Sequence, residues 1–325
     1  MLEPMPPSLL ELRPAAIEDA ALVADLDTLA QPDDPRDPVM MAFWWTNHTA
    51  SERAYRLINT DGGVARMFVY AGHNGFEQDP RRFGSLRVRI HPDDWSDAAY
   101  REAVAVAESW LRDEGAAIVV AKVRDDEPIE LGLLQSIGYD EDRRVRTSRL
   151  DLVVGRDRLL ATAERAHEDM KRQGVELLTL DRDTDPERWR KLYELDVETT
   201  DDIPKSVPWP VPTFDEWHKF WFANPGHTAE RFWIAREGDA IVGLSVIGYP
   251  PRRGIPWTSF TATARRARGR GIARALKYAT VKQAIELGAR QVQTQNDEEN
   301  APILHLNEEM GYRPAHATIE LQRKL

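Results

Sequence analysis

The chain has 325 residues, with 43 Lys and Arg against 54 Asp and Glu, a formal net charge of −11 and no cysteine. The length suits two domains at roughly 150 residues each; the missing cysteines exclude disulfides, thiolate metal sites and a cysteine nucleophile. An acidic body argues against general nucleic-acid binding, which needs a basic face. No apolar run approaches the ~18 residues that cross a bilayer. The opening "MLEPMPPSLLELRP" lacks the charge and apolar core of a secretory signal, and the eight histidines contain no H-x-x-x-H pair. A cytoplasmic protein with no metal and no membrane partner is expected.

In chain order, residues 9–14 read as a first strand, followed by a Pro-rich loop at 31–40 and a strand at 66–72, "RMFVYAG". Tyr100, Ala103, Val104, Ala107 and Leu111 mark one face of an amphipathic helix. Leu159, Ala163, Ala166 and Met170 predict a connecting helix over 155–174, stopped at Gly174. Strands follow at 175–180, 231–237 and 240–249, the last two joined at Gly238 and Asp239, with a second Pro-rich loop at 201–217. A threonine-rich strand at 258–263 leads into a helix marked by Ile272, Ala275, Leu276 and Ala279.

The two halves repeat. "DEGAAIVVA" and then "EPIELGLLQSIGY" in the first correspond to "ELGARQVQT" and "NAPILHLNEEMGY" in the second. Gly115 and Gly288 lie 173 positions apart, and so do Gly138 and Gly311. Two helix-stop glycines at one offset, with the same element order around them, predict a duplicated unit.

Between the threonine-rich strand and its helix stands "RRARGRGIARALK" (265–277). Glycine lets backbone approach a ligand closely and permits positive φ, and the unpaired amides of a helix start favour an anion. The turn is therefore a local basic island fitted to one small anion. No GK[ST] follows, which excludes a P-loop, and Arg274 stands where a dinucleotide fingerprint needs its third glycine.

Arg266, Gly269 and Gly271, spaced Arg-x-x-Gly-x-Gly after a strand, resemble motif A of the GNAT-type N-acetyltransferase superfamily, and "TQNDEENAPILHLNEEMGY" (294–312) resembles its motif B. The resemblance covers about residues 175–325. It implies that acetyl-coenzyme A is bound by Thr261, Ala262, Thr263, Arg266, Arg268, Gly269, Arg270, Gly271, Ile272, Ala273, Asn296, Asn300 and Asn307. It implies tandem GNAT-like domains of α/β (α+β) class over 1–154 and 175–325. Each would be a mixed, mostly antiparallel twisted sheet flanked by helices. At the 173 offset, Arg266, Arg268, Gly269, Arg270 and Gly271 become Asp93, Trp95, Ser96, Asp97 and Ala98, and Asn307 becomes Leu134. The amino half is thus expected to be a degenerate copy without a cofactor site.

The resemblance further implies acetyl transfer to a primary amine of a small molecule, by direct attack in a ternary complex, in a monomer or homodimer. Two departures bear on the chemistry. The strand at 256–263 has no acid to serve as base, and the position where relatives carry a thiolate-protonating tyrosine is Asn307, which is placed in the catalytic site without that ability. Asp201 and Asp202 are candidates for catalysis and, with Glu198 and Trp209, for holding a cationic amine; a turn beside Pro204 explains the two aspartates equally well. Asp196, His218 and His305 are further titratable candidates. Trp217 and Trp221, four apart, read first as core. The alternatives are a non-catalytic acyl-coenzyme A sensor and an acetyltransferase like mycothiol synthase, which shares the tandem layout.

Overall fold

The computed structural model describes residues 11–48, 51–77, 79–200, 202–203 and 211–325. Among them the amino half carries α1 (Ala20–Ala30), α2 (Pro38–Thr46), α3 (Asp97–Glu114) and α4 (Pro128–Ser136). Its strands are β1 (Arg13–Pro14), β2 (Arg53–Asp61), β3 (Val64–His73), β4 (Phe83–Ile90), β5 (Ile118–Arg124) and β6 (Asp140–Asp151). The first strand is shorter than expected, and positions 9 and 10 lie outside the described residues.

The carboxyl half carries α5 (Arg156–Arg172), α6 (Arg188–Thr200), α7 (Phe214–Phe222), α8 (Ile272–Glu286) and α9 (Ala301–Met310). Its strands are β7 (Glu176–Thr179), β8 (Phe232–Glu237), β9 (Ala240–Gly248), β10 (Trp257–Thr263), β11 (Gln291–Asp297) and β12 (Arg313–Lys324).

Hydrophobic periodicity explains the packing. In β3 the alternate residues Met67, Val69 and Ala71 meet the stripe of α3, while Ala65 and Phe68 join Val23 and Leu26 of α1. In the carboxyl half α6, α7 and α8 cover β8 and β9; the stripe of α5 gives Ala166 and Met170 to that core, and Leu159 and Ala163 to a second one with Tyr278 and Tyr312. Gly243 in β9 has a packing reason: a Cβ there would stand 2.7 Å from Ile272 and 2.8 Å from Leu276, so α8 seats on bare backbone.

All twelve strands form one sheet in the order β1-β2-β3-β4-β5-β12-β6-β11-β10-β9-β8-β7. Only β4–β5 and β10–β11 are parallel. The 173-residue offset is kept to the residue: β5 and β6 shifted by it give the bounds of β11 and β12.

The last strands of the halves are exchanged. β12 lies against β5, from Thr318↔Arg124 to Lys324↔Ile118, and against β6, from Arg313↔Arg149 to Gln322↔Asp140. The other edge of β6 pairs with β11, from Gln291↔Asp151 to Asp297↔Val145. Each half thus completes its partner's sheet, about a pseudo-twofold axis between β6 and β12.

Candidate active site

The strand–turn–helix read from the sequence is β10, a short 3-10 turn at Arg265–Ala267, and α8. Gly269 (φ +77°) and Gly271 (φ +81°) both adopt the left-handed conformation. A Cβ on Gly269 would meet nothing within 4 Å, so the backbone there is open to a ligand. Gly271 is the N-cap of α8 and supplies no capping side chain. The first amides of a helix have no acceptor within it, so those from Ile272 and Ala273 onward remain available to an anion, aided by the helix dipole.

The arginines of the turn are held by carboxylates. Asp202 bridges Arg265, at 3.0 Å, and Arg268; Glu237 bridges Arg270, at 2.8 Å, and Arg266, at 3.5 Å. Arg274 reaches Glu309 at 2.5 Å. Such exposed pairs are worth about 0–1 kcal/mol each, so a diphosphate can compete for the same guanidinium groups. Glu198 accepts from the Arg265 amide at 2.7 Å. The two acids expected at the acceptor, Asp202 and Glu198, therefore stand against the arginine turn. Hydrogen bonds from Arg265 and Arg268 hold the Asp202 carboxyl below the usual carboxylate range. Asp201 and Trp209 lie outside the described residues.

Beyond the turn, β10 and β11 part. They pair only at Trp257↔Gln293 and Thr258↔Thr294, although β10 runs on to Thr263 and β11 to Asp297. Thr261 and Ala262 remain paired with β9 on the other edge, at Ser245 and Leu244, and the Thr261 hydroxyl lies 2.9 Å from that of Ser245. The edge of β10 facing β11 is thereby left without a strand partner beyond Thr258, the Thr263 carbonyl accepting instead from Arg268 Nε at 3.3 Å.

Across this gap, the amide nitrogen of Asn307 donates to Asn296 Oδ1 at 2.8 Å, while Asn300 forms the N-cap of α9. Asn307 Oδ1 and Thr263 Oγ1 are both buried without a partner. A buried polar atom left unpaired costs about 1–3 kcal/mol, and an amide-bearing chain laid along the parted strands could satisfy both.

The aromatic side of the site joins α6, α7 and β10. Trp217 and Trp221 are buried in the core, as their spacing predicts, and both indole N–H groups also donate to Asp196 Oδ2, that of Trp221 at 3.1 Å. Burial pushes the Asp196 carboxyl up. His218 is ringed by Trp189, Phe214 and Phe222, and His305 sits on the exposed side of α9.

Sequence reasoning missed His227, in the loop after α7. It is buried, with Nε2 at 2.8 Å from Ser259 Oγ. Its only local signal is the turn sequence "NPGH", which gives no hint of a strand residue 32 positions away.

The corresponding elements of the amino lobe are built differently. Its helix α3 is capped by the Ser96 hydroxyl, which accepts from the Ala99 amide at 3.2 Å. Asp93 and Asp94 occupy the turn, and Leu134 replaces Asn307 in a hydrophobic core. β4 and β5 also part, after Leu86↔Ala121, but the position equivalent to Ala262 is Arg89. The Arg89 guanidinium is buried and meets Glu127 at 3.0 Å, Glu130 at 3.4 Å and Asp27 at 3.5 Å. A salt-bridged side chain plugs the cleft.

Burial pushes Glu130 up to about 7, the Glu127 charge adding to it and Arg89 opposing. A folded-state value above the unfolded one gives stability that is lost as pH rises through about 7. Urea unfolding at pH 5 and pH 8 should show the stability difference between Glu130→Gln and the unaltered protein shifting toward the variant at the higher pH.

Residues 189–312 match the profile of the acetyltransferase (GNAT) family. Among curated proteins none matches the chain in sequence. Among solved structures, a tandem GNAT protein from the clavulanic acid biosynthesis pathway superposes with a TM-score of 0.71 at 17% identity, over 97% of this chain and 98% of that one. A GCN5-related N-acetyltransferase from Sphaerobacter thermophilus gives 0.68 at 19%, over 96% and 95%. A GNAT-family acetyltransferase from Colwellia psychrerythraea gives 0.63 at 10%, over 96% and 99%.

The carboxyl lobe thus carries the match to the GNAT acetyltransferase family, whose acyl donor is acetyl-coenzyme A, and the chain as a whole has the tandem GNAT fold. Among the described residues no helix is long and apolar enough to cross a membrane.

Proposed function

We propose that this protein is an N-acetyltransferase that binds one acetyl-coenzyme A per chain, in the carboxyl lobe, and acetylates a primary amine of a small molecule within a ternary complex. The observation that carries this reading is the uncapped, glycine-opened start of α8, set against the capped and acidic start of α3. The amides of Gly271, Ile272 and Ala273 and the guanidinium groups of Arg266, Arg268 and Arg270 would hold the diphosphate. The strand-free edge of β10 at Thr261–Thr263, with Asn296 and Asn307 across the gap, would hold the amide-bearing arm. The thioester supplies an activated acetyl group; the protein's part is to orient it, exclude water and move a proton.

The units we assign are an amino-terminal lobe over 1–154, the helix at 155–174 and a catalytic lobe over 175–325. The first lobe bears on the acceptor side of the second. Asp37 accepts from the Arg252 amide at 2.5 Å and the Arg253 amide at 2.9 Å, and Trp44 lies 5.9 Å from Phe220 of α7. A cleft at such a junction is where small ligands commonly bind.

Calorimetric titration of the full chain with coenzyme A should give one site, and two sites or none would overturn the assignment. Thiol release from acetyl-coenzyme A with tyramine, spermidine, glucosamine, lysine and an aminoglycoside tests transfer. Binding without release across such a panel would favour a non-catalytic sensor.

A further inference from the structure

Ser259 stands where two irregularities of β10 coincide. The pairing with β9 skips it, passing from Thr258 to Phe260, and the pairing with β11 ends one residue earlier. A bulge takes its residue out of the ladder and re-aims the side chain, here at the apex of the gap between β10 and β11. The Ser259 hydroxyl lies 2.8 Å from His227 Nε2, and His227 Nδ1 lies 3.3 Å from the backbone carbonyl oxygen of Trp221. A carbonyl only accepts, so Nδ1 carries the proton, Nε2 is the bare nitrogen, and Ser259 is the donor. The oxygen of Ser259, which is only partly buried, is left free to accept from a second donor.

The surroundings fix this arrangement. The rings of Trp221, Phe232 and Trp257 lie 5.2, 5.7 and 6.0 Å from the imidazole. Trp221 is shared, its carbonyl orienting His227 while its indole donates to Asp196. Burial, with the Arg231 charge beside it, pushes His227 down to about 4, so the ring is neutral near pH 7.

We propose that Ser259 and His227 form a proton relay for the acyl transfer: the acceptor's N–H proton passes to Ser259 Oγ as the Ser259 proton passes to His227 Nε2. The proposal rests on the acetyltransferase reading given above. The amine attacks as the free base; its nitrogen–carbon bond forms, the carbon–sulfur bond breaks, and coenzyme A leaves as the thiolate. The imidazolium then returns its proton through Ser259 to the sulfur, so the products are an amide and a thiol and both side chains are restored. An imidazolium this acidic readily protonates a thiolate, whose thiol has a pKa near 8.5. The relay thus supplies both the base that the strand lacks and the acid that Asn307 cannot be.

The test uses the full chain with Ser259→Ala, Ser259→Thr and His227→Gln. Glutamine keeps an acceptor for the hydroxyl but cannot take up a proton. Coenzyme A affinity should stay within about twofold, while kcat with the best amine of the panel falls about 100-fold in Ser259→Ala and His227→Gln, as for loss of a general base. Ser259→Thr should recover part of the loss. Hydroxylamine, whose nitrogen once bonded to the acyl carbon is more acidic than an alkylamine's and can lose its proton directly to water, should suffer less from both changes. Nitrogen NMR of labelled histidine should show His227 as the neutral Nδ1–H tautomer, with its Nε2 signal moved by Ser259→Ala. Turnover that survives both substitutions, a proton on Nε2, or an acetylated Ser259 after acetyl-coenzyme A alone would overturn the relay and leave the transferase reading standing. No turnover by the unaltered protein with any amine would overturn both.

Discussion

Gly271→Asp should weaken coenzyme A binding by about 100-fold or more while leaving the fold intact. The residue sits at φ +81°, and a Cβ there would meet only the end of Met170, at 3.9 Å, so the new side chain has room. Aspartate tolerates the left-handed region better than most residues, and its charge at a helix start stabilises that helix by about 0.3–1 kcal/mol. The strain and the gain nearly offset, and urea unfolding should shift by no more than about 1 kcal/mol. The diphosphate meets the opposite situation, a fixed negative charge at the mouth of its cradle. Two unit charges about 4 Å apart near a surface interact by about 4 kcal/mol, and 100-fold corresponds to about 3 kcal/mol after partial screening. Calorimetry on the Asp variant, with Gly271→Ala as the uncharged companion, separates the effects: Ala carries the strain alone. Normal affinity in Gly271→Asp would mean that the cofactor is held elsewhere.

Arg89→Met should be the most destabilising single change in the amino lobe, by about 3–5 kcal/mol in urea unfolding, because it leaves buried carboxylates without their cation. Asp27, Glu127 and Glu130 converge on that one guanidinium, and of the three only Asp27 also engages Arg87. The deficit should grow between pH 5 and pH 8, since Glu130, already pushed up by burial, must then either ionise in a low-dielectric site without the Arg89 charge or hold a proton that solvent would take. Arg89→Met combined with Glu127→Gln and Glu130→Gln should regain most of the loss, which a simple cavity would not allow. A shift below 1 kcal/mol for Arg89→Met would show that the plug carries little of the lobe's stability.

Much of this protein is legible in its sequence because the informative features are local. Gly115, Gly138, Gly288 and Gly311 end helices in the left-handed conformation, which glycine adopts most readily, and their common offset exposes the duplication. The turn from Arg265 to Gly271 declares itself through glycine spacing and charge. What could not be read depends on partners far apart in the chain. β6 and β12 have the same local pattern whichever sheet they join, and only long-range pairing decides the exchange. Asp202 and Glu198 look like free acids beside an aromatic loop until the fold brings both to Arg265, 63 and 67 residues on. The pairing of His227 with Ser259 has no motif, and the plug at Arg89 lies on the strand before the turn, away from the positions that define the family's anion site.

The exchanged strands also govern the order in which the chain can be completed on the ribosome. β5 needs residues 318–324 as its neighbour, and those emerge about two hundred positions later. At 5–20 residues per second that is a delay of about 10–40 s. The first lobe must wait with an open edge until residues 318–324 are released, so loss of that stretch would cripple the lobe made first as surely as the one made last.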